Sequence, residues 1–460
     1  MKNTFKLSSI ALGIFLATGL SGTAFGQTLK DAVEQTVRTN PDVLYEANQR
    51  LANEEAVKVA RGGFMPKVDL LGGYGREGTR SASSFGVRNN RTEYAPSYFD
   101  PTKRDDYLYL TRYERQATLS QMLFDGFGVS SEYNRNKARA ESAAYKTLGT
   151  AEAVGLRGVE KYMEVLRNRE LVQLTKENLD MHLKIQDQIK VRSGGGVGRK
   201  SDQEQVEARV GLSKANLTAA EANLRDAEIA YLRVVGSKPK ELLKAEAPDI
   251  GLLPKTEDEA VKVAVENHPI LRSATADVKA TEYQQQAAKS ALYPRLDAEL
   301  GAAKNDNLDG QPGANDERYA MLRMRWNIFR GLSDMARVNE TGYFKVQAME
   351  VMNRTRRQVD ESTRLSWNAF ISARERLPSL QEHADKSFAT RDSYAQQFNL
   401  GQRTLLDLLD SENEAFTAKS DLISAQYLET FARFRLLTDT NQMLAYLGVT
   451  PPEEAMYSQK

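Results

Sequence analysis

The stretch Leu322-Arg323-Met324-Arg325-Trp326-Asn327-Ile328-Phe329 decides the fold. Leu322, Met324, Trp326 and Ile328 alternate with Arg323, Arg325, Asn327 and Phe329, so an extended chain shows one apolar and one mainly polar face. Leu296, Ala298 and Leu300 alternate in the same way with Arg295, Asp297 and Glu299. So do Ala117, Leu119 and Leu123 with Thr118 and Ser120, although Gln121 interrupts the apolar face. Val68, Leu70 and Gly72 alternate with Asp69 and Leu71. Strands are expected at about 67–75, 113–125, 295–302 and 319–330. This alternation is the signature of transmembrane β-barrel strands. A soluble sheet lying on helices alternates too. Four strands cannot close a barrel around a lumen, and lipid does not tolerate open edges. A barrel reading therefore requires several copies of the chain.

The rest of the chain narrows the choice. Its 460 residues include no cysteine, three histidines, 63 Lys+Arg and 62 Asp+Glu. Zero cysteine excludes disulfides, thiolate metal sites and a lipidated N-terminal cysteine. A net charge of +1 argues against nucleic acid as partner. A mean hydropathy of -0.55 argues against a helical membrane protein. The one long apolar run, Leu7–Leu20, follows Lys2 and Lys6 and precedes Ala24-Phe25-Gly26. These parts make residues 1–26 a secretory signal, with the mature chain starting at Gln27. The chain is expected to leave a Gram-negative cytoplasm, and this favours the barrel over the soluble sheet.

The chain also repeats itself. At an offset of 228, Ala32, Val33, Val37, Pro41 and Pro66 match Ala260, Val261, Val265, Pro269 and Pro294. Further on, at an offset of 205, Phe124, Gly126, Gly196, Asp202 and Lys214 match Phe329, Gly331, Gly401, Asp407 and Lys419. The 23 extra residues of the first half fall between Tyr74 and Gln116, in a Gly/Ser/Arg/Asn/Tyr-rich stretch that reads as a loop, set at 76–112. The first repeat is set at 27–236, a linker at 237–255, the second repeat at 256–447 and a tail at 448–460. Each half reads as a short helix, a longer helix, strand, loop, strand, a very long helix, a turn and another long helix. The long helices are placed at about 127–192, 202–236, 332–398 and 404–447. Val206, Val210, Ser213, Leu217, Ala220, Leu224, Ala227, Tyr231 and Val234 step as a heptad seam. Glu429 interrupts the second-half counterpart. The fold class is α+β: long antiparallel helices with coiled-coil contacts, plus four strands given to a shared barrel.

In this order, twice over, the pieces resemble the TolC family of outer-membrane export ducts. They are the Asn40-Pro41 and His268-Pro269 helix starts, the Met65-Pro66-Lys67 and Tyr293-Pro294-Arg295 junctions, and the exits Phe124-Asp125-Gly126 and Phe329-Arg330-Gly331. The most specific is Gly401-Gln402-Arg403-Thr404-Leu405-Leu406-Asp407-Leu408-Leu409-Asp410. The resemblance implies a homotrimer with a twelve-stranded barrel in outer-membrane lipid and a helical tunnel in the periplasm. It implies that the Gly196 and Gly401 turns lie at a closable periplasmic tip. Asp407 and Asp410 would form its acidic constriction rings, Arg403 its gate arginine and Asp202 the acidic partner. Phe398 would stand where the family's best-known member has a gate tyrosine. Partners would be a periplasmic adaptor and an inner-membrane ABC or other export transporter.

Asp407 and Asp410 are three apart, so both fit one helix face. Three copies would stack two rings of carboxylates that concentrate cations. Arg295, Asp297, Glu299, Arg323 and Arg325 are expected on the barrel lumen as a salt-bridge lattice. No enzyme, metal or cofactor is expected. His182, His268 and His383 lack metal-ligand spacing, and His268 suits turn chemistry. The Gly194–Ser201 run misses the phosphate-loop spacing. The function expected is a passive export duct, with type I protein secretion ahead of multidrug efflux. A pore-free periplasmic coiled-coil scaffold would explain the seam and the signal, but not the four strands.

Overall fold

A computed structural model describes residues 26–80, 107–194 and 199–456. The expected signal as far as residue 25, the Gly196 turn (195–198), loop residues 81–106 and residues 457–460 lie outside the described residues.

Local chemistry sets each boundary. α1 (Leu29–Thr39) opens on a capping box: Asp31 N donates to Thr28 Oγ1 at 3.1 Å, and Thr28 N donates to the Asp31 carboxylate. Asn40 ends α1 and caps α2 (Pro41–Gly62), accepting from Asp42 N at 2.9 Å with Pro41 at the first turn. β1 (Lys67–Thr79) and β2 (Leu108–Phe124) follow, then α3 (Gly128–Gly194) and α4 (Lys200–Val235). The second half repeats the plan. α5 (Glu257–Asn267) leads to α6 (Pro269–Lys289), where His268 Nδ1 accepts from Ile270 N in the role of Asn40. Next come β3 (Arg295–Asp306), β4 (Ala314–Arg325), α7 (Ser333–Asn399), α8 (Leu405–Asp439) and the short α9 (Met443–Leu447). Both α3 and α7 have 67 residues, which makes each about 100 Å long.

The four strands form one antiparallel sheet ordered β1-β2-β3-β4, so β1 and β4 are its free edges. Register places Val68, Leu70, Leu119, Leu300, Leu322 and Met324 on one face. Lys67, Asp69, Asp297, Glu299, Arg323 and Arg325 share the other.

Several bounds differ from expectation: β3 runs on to Asp306 and β4 begins at Ala314. β4 stops at Arg325 and leaves out Trp326–Phe329. Arg325 pairs with Arg295, the first residue of β3. Pro294 precedes it and has no N–H with which to extend the ladder. Ile328 and Phe329 are exposed, as are Leu322 and Met324 within β4. The 76–112 loop is shorter than expected, because β1 and β2 pair as far as Thr79 and Leu108. Finally, the helix expected over 404–447 breaks after Asp439. Asn441 has φ 60°, its N–H bonds Thr438 O, and Gln442 N bonds Leu437 O. That is a Schellman stop, and it turns the chain into α9. The Gln121 exception is also accounted for. It adjoins a bulge at Met122/Phe124, and its amide donates to Phe64 O and Met122 O.

The main core lies midway along the helices. Tyr162 of α3, Tyr231 of α4, Phe370 of α7 and Phe434 of α8 are all fully buried there. The Tyr162 hydroxyl lies 2.8 Å from Gln27 O and 2.6 Å from Leu243 O, tying the linker to the segment just before α1. Glu429, the break in the second seam, is buried and neutralised by Arg433, whose Nε donates at 2.6 Å. The first seam is buried at both ends, while Leu217, Ala220 and Leu224 are only half-buried.

Candidate functional site

At the sheet, the expected lattice is present. Arg295 Nε and Arg325 Nη2 reach the Asp297 carboxylate at 2.9 and 3.2 Å. Arg323 Nε donates to Glu299 Oε1 at 3.0 Å. On the same face Lys67 pairs with Asp69 at 3.2 Å, and Arg112 pairs with Glu77 at 2.8 Å and with Glu114. All five sequence-assigned charges thus sit together, each with an opposite charge beside it.

At the far end of the helices, α7 turns into α8 within five residues. Gly401 has φ 76°, its N–H bonds Phe398 O at 3.1 Å, and Gln402 N bonds Gln397 O at 2.9 Å. This is again a Schellman stop, where only a glycine-like residue is unstrained. Thr404 then caps α8 through a second capping box. Asp407 N donates to Thr404 Oγ1 at 3.3 Å, and Thr404 N and Oγ1 donate to the Asp407 carboxylate at 3.2 and 2.8 Å. The Thr404 bonds, helped by the Arg403 charge, hold the Asp407 carboxyl below its ordinary range. Arg403 Nε donates to Gln397 Oε1 at 3.0 Å, and its guanidinium lies 4.2 Å from the Tyr394 ring centre. Its approach to Asp407 is 4.0 Å.

The assigned residues are therefore only partly brought together. Asp407 and Arg403 are neighbours. Asp202, in the first turn of α4, has Ser201 Oγ at 3.5 Å and no bond to Arg403 within the chain. Phe398 is 5% exposed, packed with Ile185, Ile189, Val206, Leu405 and Leu409, with Arg192 over its ring at 4.5 Å. It serves as core between the two hairpins. Asp410 meets Arg209 of α4, Nη2 to Oδ1 at 2.9 Å.

Sequence reading missed Arg209, which clasps the first repeat to the second across 201 positions. No local pattern marks such a pair. It also missed Thr404, although the Thr404-x-x-Asp407 spacing marks a helix start. Below the tip, burial pushes the Glu412 carboxyl up to about 7, with Arg391 at 3.7 Å only partly offsetting it. Burial, together with the nearby Arg209 charge, lowers the pKa of His182.

In each repeat one 67-residue helix turns back into a helix of 36 or 35 residues, and the two repeats together supply an amphipathic four-stranded sheet, the architecture of a channel protomer. Residues 32–237 and 260–440 match the Outer membrane efflux protein family, and the chain belongs to it. The outer membrane efflux protein BepC of Brucella suis is 24% identical over 448 residues, covering 95% of this chain and 90% of that one. The proteases secretion protein PrtF of Dickeya chrysanthemi is 23% identical over 424 residues, covering 88% and 86%. The CmeC outer membrane channel of Campylobacter jejuni shares the fold with a TM-score of 0.76 at 14% identity, covering 90% and 86%. The chain is a TolC-family protein of the outer membrane.

Proposed function

We propose that three copies form a closed twelve-stranded barrel continued by a helical tunnel, and that this duct passively conducts cargo delivered by an inner-membrane transporter and a periplasmic adaptor. The observation that carries this reading is the sheet: one apolar face, one charge-paired face and two unpaired edges, β1 and β4. Unpaired edges are intolerable in lipid, and β1 of one copy is free to pair with β4 of the next. The apolar face would meet lipid. The paired charges would line water with little net field, as suits a conduit open to varied cargo.

The tip is read as the gate. Arg403, Asp407 and Asp410 line the constriction, Asp202 of a neighbouring copy faces Arg403, and Phe398 holds the hairpins together from inside. Arg209 engages Asp410 at 2.9 Å, whereas Arg403 only approaches Asp407 at 4.0 Å, so the Asp407 ring is the less tightly ion-paired of the two. Asp407→Ala should then weaken block of single channels by multivalent cations. Unchanged block would remove Asp407 from the constriction.

We further propose type I protein secretion as the route. The glycine-rich first turn and the Phe-Asp-Gly-Phe strand exit at 124–127 support it, as does likeness to a protein named for protease secretion. Likeness to an efflux protein favours the second reading, drug export. Deleting the gene separates the two. Loss of one large secreted protein with unchanged drug sensitivity supports secretion, whereas drug sensitivity with an unchanged secreted profile contradicts it.

A further inference from the structure

The two repeats match without a gap along α3 and α7, yet the grooves at their mid-height differ. In the first repeat the groove between α1 and α3 has Val33, Ala151 and Val159 at its base, all 0% exposed. The chain's own α9 fills it. A Cβ on Gly155 would meet Met443 Cε at 2.8 Å and Leu444 Cδ2 at 3.0 Å, and Glu152 Oε1 accepts from Leu444 N at 3.4 Å.

The equivalent groove of the second repeat lies between α5 and α7. Val261 and Val265 stand for Val33 and Val37, and Arg356, Arg357 and Arg364 stand for Ala151, Glu152 and Val159. This groove is open. It forms a cleft of about 520 Å³, and Val261 and Val265 are only half-buried. Arg364 is spoken for by Glu257 at 2.6 Å, Asp360 at 2.9 Å and Asp258 at 3.4 Å. Arg356 and Arg357 are exposed and make no hydrogen bond or ion pair among the described residues. Where the filled groove offers a buried carboxylate to the end of a helix, the open one offers two free guanidiniums.

We propose that this cleft is a docking site for a short acidic helical segment of a partner protein. Apolar side chains would seat on Val261 and Val265 as Met443 and Leu444 seat on the first groove. Carboxylates would meet Arg356 and Arg357, a geometry that guanidinium favours. A second copy is the weaker occupant. By the repeat, the segment a neighbour would bring is the one after α4, as α9 follows α8. That segment is Ser237-Lys238-Pro239-Lys240, whose lysines would be repelled. The inference concerns the flank of the tunnel and does not depend on which cargo passes.

The chain has no cysteine, so single introduced cysteines report cleanly. In the assembled full-length protein, Val265→Cys should react with a maleimide, and Val37→Cys should not. The probe is a fluorescent peptide of residues 440–449 with glutamate in place of Gln442 and Ala445. It should bind, protect Val265→Cys and weaken with added salt. Arg356→Ala combined with Arg357→Ala should weaken binding about tenfold, the loss of one good charge-assisted contact. An analogue with lysine at both positions should not bind. Single-channel conductance of the double variant should be unchanged, which separates this inference from the duct reading. The proposal is overturned if Val265→Cys is unreactive, because a neighbouring copy then covers the cleft. Equal binding of the acidic and basic peptides, no binding of the acidic one, or indifference to the arginine changes also overturns it.

Discussion

The two hairpin ends at the tip have the same place in the repeat, but the described residues beside them are held differently. The second, Leu400–Thr404, is fixed at both sides, by a Schellman stop at Gly401 and a capping box at Thr404. The first leads into α4 through Arg199, which offers no side-chain cap. Glu412 of α8 is buried, whereas Glu207, its counterpart in α4, is exposed. The second hairpin is thus held by its own bonds. Among the described residues, the first is held by what crosses to it: the Phe398 cluster and the Arg209–Asp410 pair. A gate built this way would move at its first-repeat side.

The largest effect should come from the buried acid. Glu412 binds its proton more tightly when folded, up to about 7 against an ordinary 4.5. Stability therefore falls as pH rises from about 4.5 to about 7. Glu412→Gln should abolish that slope, adding about 2 kcal/mol at pH 8 and almost nothing at pH 4. Denaturant midpoints at the two pH values check this. An equal gain at both would mean that Glu412 is not protonated in the fold.

Next is the clasp between the repeats. Each exposed pair contributes about 0.5 kcal/mol, and three symmetric copies about 1.5 kcal/mol. Arg209→Ala should therefore raise the open fraction in bilayer recordings about tenfold. No change would place the clasp outside the gate. Thr404→Ala removes a cap worth about 1 kcal/mol. Amide exchange at Leu405–Leu408 should accelerate about fivefold, while the first residues of α4 stay as they were. If both turns accelerate together, they are one unit and the contrast fails. The smallest effect is expected from Arg403→Ser or Asp202→Ala, about twofold in conductance, since their contact would form only between copies. Unchanged conductance in both would remove them from the gate.

Helix lengths and turns were legible because periodicity, Pro and Gly act locally. The two 67-residue helices lie within two residues of their expected bounds. The end of β4 was not legible, because the residue that stops it, Pro294, lies just before the partner strand. The break after Asp439 needed the αL geometry of Asn441, which a helical pattern running past it conceals. At the tip, Arg403 beside Asp407 could be read from four-residue spacing. Arg209 beside Asp410 could not, because that contact depends on how α4 docks on α8. The burial of Phe398 escaped for the same reason.

The central claim is that copies share one barrel through the edges β1 and β4. Cysteine pairs scanned along Lys67–Thr79 and Ala314–Arg325 in an otherwise cysteine-free chain test it directly. Oxidation in outer membranes should give a covalent ladder that ends at three chains for pairs in register. A product that stays at one chain throughout the scan would contradict the shared barrel.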